Sequence, residues 1–305
     1  MTWKNSRPIL QGLLFVSPWL LGFVLLNLYP FLASVWFSLC DYSVLSPPVY
    51  LGADNFVNLL YDPAFWQALR NTLLLAGFSI PLGTALSIGL AVLLNQPTGA
   101  RGFFRTLFFL PCLVPAISLA LLWQWMLNGK MGLINQALRP VLVALNSVLG
   151  TSLQPPDWLN DPSWALWGLV LTGLWGVGQA MVIYLAGLQE IPDELYEAAR
   201  LDGTTAWQRF WHITLPMLSP VIFFNVLMGL IGSLQTFAVP YILTGGGDGP
   251  GRSLLFLATY IYQNAFDYWN MGYASALALV LFLMIGVLSL ALVRLGEKKV
   301  HYEGR

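Results

Sequence analysis

Hydrophobic residues run along this chain in blocks far longer than a single core helix needs. About 20 consecutive apolar residues carry a helix across the hydrocarbon core of a bilayer. Six blocks reach that length: 9–39, 68–94, 104–127, 164–188, 217–242 and 272–293. The pattern predicts an all-α membrane protein with six transmembrane helices. Pro30, Pro81, Pro111 and Pro115 fall inside or near these blocks. Membrane helices tolerate such prolines where neighbouring helices satisfy the freed carbonyls, so a packed bundle is expected.

The polar positions between the blocks read as loops. The segment 41–67 holds no Lys or Arg, and 128–163 holds Pro155-Pro156 and Trp158. The segment 243–271 holds the glycine-rich run Gly245-Gly246-Gly247-Asp248-Gly249-Pro250-Gly251. That run lacks the Lys-Ser/Thr pair of a phosphate-binding loop and reads as a flexible turn. One polar block differs. Residues 189–220 carry five acids (Glu190, Asp193, Glu194, Glu197, Asp202) against two arginines (Arg200, Arg209). A loop meeting anionic headgroups favours Lys and Arg, so this acidic island suggests a surface for another protein.

Composition sharpens the class. Of 305 residues, 57% are hydrophobic and 9% charged, with mean hydropathy +0.68. A soluble domain carries roughly 25% charged residues, so this chain is an integral membrane protein. Net charge is zero, and no attraction to nucleic acid is expected. Cys40 and Cys112 sit in or beside apolar runs and read as small buried thiols. His212 and His301 are isolated, and no metal-ligand spacing occurs.

Charge also sets the orientation. With the N-terminus in the cytoplasm, Lys4, Arg7, Arg101, Arg105, Arg200, Arg209, Arg294, Lys298, Lys299 and Arg305 all fall inside. Arg70, Lys130, Arg139 and Arg252 fall outside or at the outer boundary. The positive-inside rule therefore places both termini and the acidic island in the cytoplasm. Lys4 and Arg7 precede an apolar run too long for a cleaved secretory signal, which reads as a retained signal-anchor helix.

Within the island, Asp193 and Glu194 suit the positive end of a first helical turn. Gly203 stands where a C-terminal cap belongs, and Thr205-Ala206-Trp207-Gln208 has the form of a capping box. The expected shape is helix, sharp glycine turn, helix. Small side chains at Ala198, Ala199 and Gly203 permit close approach by a partner, and Glu197 offers a carboxylate to a partner arginine.

The spacing Glu197-Ala198-Ala199, Gly203, Ile213, Leu215-Pro216 resembles the EAA loop of permease subunits of ATP-binding-cassette importers. The likeness continues through Asn71-Thr72, the run 104–111 (FRTLFFLP), Trp123-Gln124-Trp125-Met126, Gly132-Leu133-Ile134-Asn135 and 184–188 (YLAGL). These are similar to the carbohydrate-uptake branch, near the larger maltose permease and the glycerol-3-phosphate permease A subunit. The resemblance implies a type I (MetI-like) permease core over 65–293 with a cytoplasmic coupling (EAA) helix. It leaves 1–64 as tail, first transmembrane helix and first outer loop, and 294–305 as a cytoplasmic tail.

What the resemblance further implies is a set of partners. They are a second permease, two ATP-binding subunits that hold ATP and magnesium, and an extracytoplasmic solute-binding protein, all at the inner membrane of a prokaryote. No Gly-x4-Gly-Lys-Ser/Thr segment occurs, so no ATP, cofactor or metal is expected on this chain itself. No catalytic residue is expected either. A membrane enzyme would need a convergent His/Asp/Ser or metal set, and none is found in the blocks.

Polar residues in membrane helices tend to face a cavity or another helix. Asn225, Gly229, Gly232, Ser233 and Thr236 recur at helical spacing in the fifth block, and Thr172, Gly176 and Gln179 in the fourth. Trp175 lies beside the second stripe, where its ring is placed to stack on a sugar. Counted from the EAA motif, the resemblance implies that the pocket positions of the similar maltose permease fall on Gly176, Gln179, Gly229, Gly232, Ser233 and Thr236. Packing of small residues is the competing reading for each. Gln235, off the stripe, reads as an interhelical contact. No ionisable residue lies deep in the blocks, which favours an external energy source over a proton- or sodium-driven carrier. The alternatives are a permease for glycerol-3-phosphate or another small solute, or a stand-alone secondary carrier.

Overall fold

A computed structural model describes residues 6–96 and 99–296. Lys4, Lys298, Lys299, His301 and Arg305, with most of the 294–305 tail, lie outside the described residues. The chain divides into two compact units, residues 1–62 with 261–282, and 63–260 with 283–305.

The first unit begins with α1 (Ser6–Phe23) and α2 (Tyr29–Phe37), joined by a π-turn over Val24–Leu28. Pro30 explains the turn. Its ring would strike the carbonyl four residues back, at Leu26, and widening the helix there relieves the overlap. No residue in the most apolar window of Gln11–Phe37 is buried. A hairpin follows, β1 (Cys40–Ser43) against β2 (Ser46–Tyr50), antiparallel with Cys40 opposite Tyr50. Then comes α3 (Asp54–Tyr61). The hairpin has no local signal, because Pro47-Pro48 argues against a strand; an isolated two-stranded edge accommodates them. Asn55, buried, donates from Nδ2 to the carbonyls of Ser38 and Cys40 at 3.0 and 2.9 Å. Tyr273 donates its hydroxyl to Asp62 Oδ2 at 2.6 Å.

The second unit is built on α4 (Pro63–Asn95), an unbroken helix despite Pro81. It continues through α5 (Arg101–Phe109), α6 (Ala116–Met126), α7 (Leu133–Leu149), α8 (Pro162–Trp175) and α9 (Gly178–Gln189). After the acidic island come α13 (Ser219–Leu234) and α14 (Ala238–Leu243). The short α15 (Leu257–Tyr262) follows, and of the apolar α16 (Met271–Gly296) the part after 282 belongs to this unit and the part before it to the first. Ile88, Ala91 and Leu94 of α4 pack with Met181, Tyr184, Leu185 and Leu188 of α9 into one buried cluster.

Three of the six expected spans are continuous: Gln11–Phe37, Pro63–Asn95 and Met271–Gly296. The other three are bent pairs, and the count reaches the expected six with each pair taken as one span. The third bends by 100° between Leu113 and Ala116. Val114 precedes Pro115 and is extended (φ −75°, ψ 124°), as the proline ring demands. The fourth bends by 48° at Gly176-Val177, and the fifth by 66° at Leu218. The fifth also stops early: α13 ends at Leu234, and α14 resumes after Gln235–Phe237. Two further corrections concern a loop and a cysteine. Residues 128–163 contain the 17-residue helix α7, ended by Gly150 in the left-handed region (φ +66°). Cys40 is buried as expected, whereas Cys112 is only half-buried.

Candidate coupling elbow and solute path

The acidic island folds as an elbow. Pro192 caps α10 (Asp193–Leu201), with Asp193 and Glu194 in its first turn and Arg200 in its last. That charge order complements the helix dipole at both ends. The far end closes in a Schellman motif: Thr204 N–H donates to Ala199 O at 3.1 Å and Gly203 N–H to Arg200 O at 3.0 Å. Gly203 sits at φ +76°, where a Cβ would strain the backbone.

The return arm is equally determined. Thr205 and Gln208 form a reciprocal capping box, Gln208 N–H to Thr205 Oγ1 at 3.3 Å and Thr205 N–H to Gln208 Oε1 at 2.8 Å. This starts α11 (Ala206–Arg209). A π-turn over Phe210–Thr214 leads to α12 (Leu215–Met217). Here too a proline explains it, since the carbonyl four residues before Pro216 belongs to His212.

Two bonds brace the arms together. The Tyr196 and Thr214 hydroxyls lie 3.0 Å apart, and the Arg209 guanidinium donates to the Thr204 carbonyl. At its base the elbow enters the α4–α9 core: Ile191 and Leu218 are buried there, with Tyr196, Phe210, Ile213 and Met217 packed against them. Its tip is bare. Leu201 is 90% exposed and Trp207 68%, and Glu197 and Ala198 are exposed as well. Glu197 and Leu201, four apart, share the outer face of α10. Tyr196 and Ala199 are half-buried on the inner face.

The predicted solute-path residues are not brought together as two clean stripes. The break at Gly176-Val177 puts Thr172 on α8 and Gln179 on α9, so the fourth-block stripe does not share one helix face. Thr172 is buried and donates to Gly168 O at 2.9 Å. Gln179 is exposed, and Gly176 caps α8. Asn225, Gly229, Gly232 and Ser233 lie on α13, but Thr236 is beyond its end. Asn225 and Ser233 donate to their own helix, at Val221 O and Leu230 O. Gln235, expected as an interhelical contact, is exposed at the end of α13.

Two apolar cavities occur in the second unit, and of these residues Trp175 alone is in their walls. One of about 430 Å³ has Trp175 in its wall with Leu86, Leu107, Phe108 and Leu174. The Trp175 ring meets Trp123 edge-on at 6.0 Å. The other, about 910 Å³, lies between α4 and the elbow, and its α13 wall is Ser219, Ile222, Phe223 and Val226. A feature the sequence did not flag is Gly178: a Cβ there would overlap the Phe108 carbonyl, so α9 and the end of α5 touch backbone to backbone. No group of three or more His, Cys, Asp or Glu suited to a metal occurs among the described residues.

The family described as "Binding-protein-dependent transport system inner membrane component" matches residues 59–302. A probable ABC transporter permease protein of Bacillus subtilis, YesP, is 38% identical over 99% of this chain and 96% of its own length. The lactose transport system permease protein LacF of Rhizobium radiobacter is 36% identical over 92% of this chain and 91% of its own. Among solved structures, a bacterial alginate ABC transporter in complex with an alginate pentasaccharide-bound periplasmic protein has a chain of the same fold. Its TM-score is 0.79 at 24% identity, covering 96% of this chain and 95% of that one.

Proposed function

Because the chain belongs to the family of binding-protein-dependent transport system inner membrane components, we propose that it is the permease subunit of an ATP-driven sugar importer. It works beside a second permease, with two ATP-binding subunits and an extracytoplasmic solute-binding protein. Both termini and the elbow face the cytoplasm of a prokaryotic inner membrane. The permease domain runs over 65–293, after a leading helix and loop over 1–64, with 294–305 as a cytoplasmic tail.

One observation carries the reading: a stiff elbow whose base is built into the helix core and whose tip is left bare. Glu197, Ala198, Ala199, Gly203, Ile213, Leu215 and Pro216 make it the coupling element. The outer face of α10 docks on an ATP-binding subunit, where Glu197 pairs with a cation and Leu201 fills an apolar recess. ATP and magnesium are held on those partners. Closure of the ATP-binding subunits displaces α10, and the braces at Tyr196–Thr214 and Arg209–Thr204 keep the elbow from bending. The motion therefore reaches α4, α9 and α13 through Ile191 and Leu218. Alternating access follows if these helices open the cavity first to one side and then to the other.

The sugar class is supported by the lactose-system relative and the alginate transporter of the same fold. Thr172, Trp175, Gly176, Gln179, Asn225, Gly229, Gly232, Ser233 and Thr236 are the candidates along the path. The test is reconstitution in liposomes with and without the ATP-binding subunits and the binding protein. Uptake of a disaccharide should require all of them. Uptake driven by this polypeptide alone would overturn the proposal.

A further inference from the structure

A third cavity, of about 490 Å³, lies in the second unit where the end of α6, residues 157–160 and the turn after α14 meet. From it α8 and α9 run 14 and 12 residues to the elbow, roughly 40 Å of helix at 1.5 Å per residue. Unlike the two apolar cavities, its wall is largely polar: Gln124, Asn128, Asp157, Asn160 and Thr244. Leu127, Leu159, Leu243 and Pro250 supply apolar patches between them.

The wall is built rather than incidental. Asn135, fully buried, donates from Nδ2 to Gly129 O and Pro156 O, both at 2.9 Å, and its Oδ1 accepts from Trp158 Nε1 at 2.8 Å. One amide therefore locks the segments that carry Asn128 and Asp157. On the other side, buried Asn71 donates to Arg252 O and Leu255 O at 2.8 and 2.9 Å, fixing the turn that carries Pro250. A Cβ at Gly129 would touch the Asp157 carboxyl at 2.8 Å, so the carboxylate is seated against bare backbone.

The hydrogen-bonding inventory is mixed. Asn128 Oδ1 accepts from the backbone of Lys130 and Met131, both at 3.0 Å, which leaves its Nδ2 as a donor. The Asp157 oxygens accept from Asn160 Nδ2 at 3.0 and 3.2 Å and retain lone pairs. Asn160 Oδ1 then accepts and the Gln124 amide does both. A carboxylate fixed by one amide and flanked by others suits adjacent hydroxyl groups, each of which donates and accepts. The leucines and Pro250 suit the C–H face of a ring. The size fits a small-ligand site of roughly 300–1,000 Å³.

We propose that this cavity is a receiving subsite for a neutral saccharide, the first place on the permease where sugar released by the binding protein is held. The proposal rests on the sugar-importer reading and adds to it a site lined by none of the predicted path residues.

The test uses the complete importer in lipid nanodiscs without binding protein, with lactose, trehalose and maltose as probes in saturation-transfer NMR. The expected result is a signal for at least one sugar, weakened about five- to tenfold in Gln124→Leu and in Asp157→Asn, the cost of roughly one hydrogen bond. Gln124 is exposed, so its replacement leaves the fold intact and keeps the test decisive if Asp157→Asn destabilises the loop. Equal signals in the wild type and both variants overturn the subsite, as does no signal for any probe. ATP-driven uptake of the same sugars with binding protein, measured in parallel, separates the failures. Uptake without the NMR effect sinks the subsite alone, and absence of uptake for every sugar sinks the sugar reading as well.

Discussion

The hydroxyl of Tyr196, on the outgoing arm of the elbow, lies 3.0 Å from that of Thr214 on the returning arm. Eighteen residues apart in sequence, they make a direct side-chain link between α10 and the π-turn. Thr214 is buried and also donates to the Arg209 carbonyl at 3.4 Å, so loss of the Tyr196 bond leaves it only that longer contact. Tyr196→Phe should weaken the elbow by about 1 kcal/mol while keeping its packing. Hydrogen exchange of the α10 amides should accelerate roughly fivefold, with uptake reduced but not abolished.

Glu197 is exposed and shares a face with Leu201. Glu197→Lys should abolish uptake while the chain still inserts and purifies at normal yield. Reversal of a charge in a docked pair costs about 2–5 kcal/mol. Co-purification of the ATP-binding subunits is the direct measurement, and full recovery of them with the variant would count against docking at this residue.

Gly203 holds the sharpest point of the turn at φ +76°. A β-branched side chain there costs about 1–3 kcal/mol of backbone strain. Gly203→Val should therefore lower transport strongly, and Gly203→Asn, which tolerates the left-handed region, should recover much of it. A steric need for smallness against a partner would instead make both variants equally poor.

Gly178→Ala drives a methyl group into the Phe108 carbonyl, whereas a Cβ at Gly173 meets nothing within 4 Å. The first variant should lose about 1–3 kcal/mol and show a lower melting temperature in detergent. Gly173→Ala, on the preceding helix, should hold or raise it. The pair compares close approach with open space using one chemical change.

Asp161 caps α8 by accepting from Ser163 N–H at 2.9 Å and Ser163 Oγ at 2.7 Å. These bonds hold its carboxyl below the ordinary aspartate value, the side-chain bond contributing most. A group with a depressed native pKa stabilises fully above its unfolded value of about 3.9, and the benefit fades as pH falls through the native value. Protection of the Trp164 and Ala165 amides should therefore be flat above about pH 5 and decline below about pH 4. Asp161→Asn keeps the cap and should remove that pH dependence.

The spans were legible because runs of twenty apolar residues have few other uses. The elbow was legible because its start, its glycine stop and its capping box are all local signals, and Asp193, Gly203 and Thr205 sit where those signals place them. The breaks at Val114, Gly176 and Leu218 were not, since hydropathy averages over a kink. Pro115 alone would have disclosed one of them, through the restriction it puts on Val114. The path stripes were drawn on an unbroken helix, so they failed where the helix did: Gln179 and Thr236 lie past breaks. The role of Asn135 was invisible because its three bonds reach Gly129, Pro156 and Trp158, contacts that no periodicity encodes.

The π-turns over Val24–Leu28 and Phe210–Thr214, like a third over Gln263–Asp267, each accommodate one residue more than an ordinary helical turn. Each adds about 100° of azimuth to everything that follows. In the second, that extra rotation sets which side of the elbow confronts α4 and which is left for a visitor. Excision of a single residue from 210–214 would rewind the helix, swing the Glu197 edge about a quarter-turn and misalign it, though every contact within α10 itself survived.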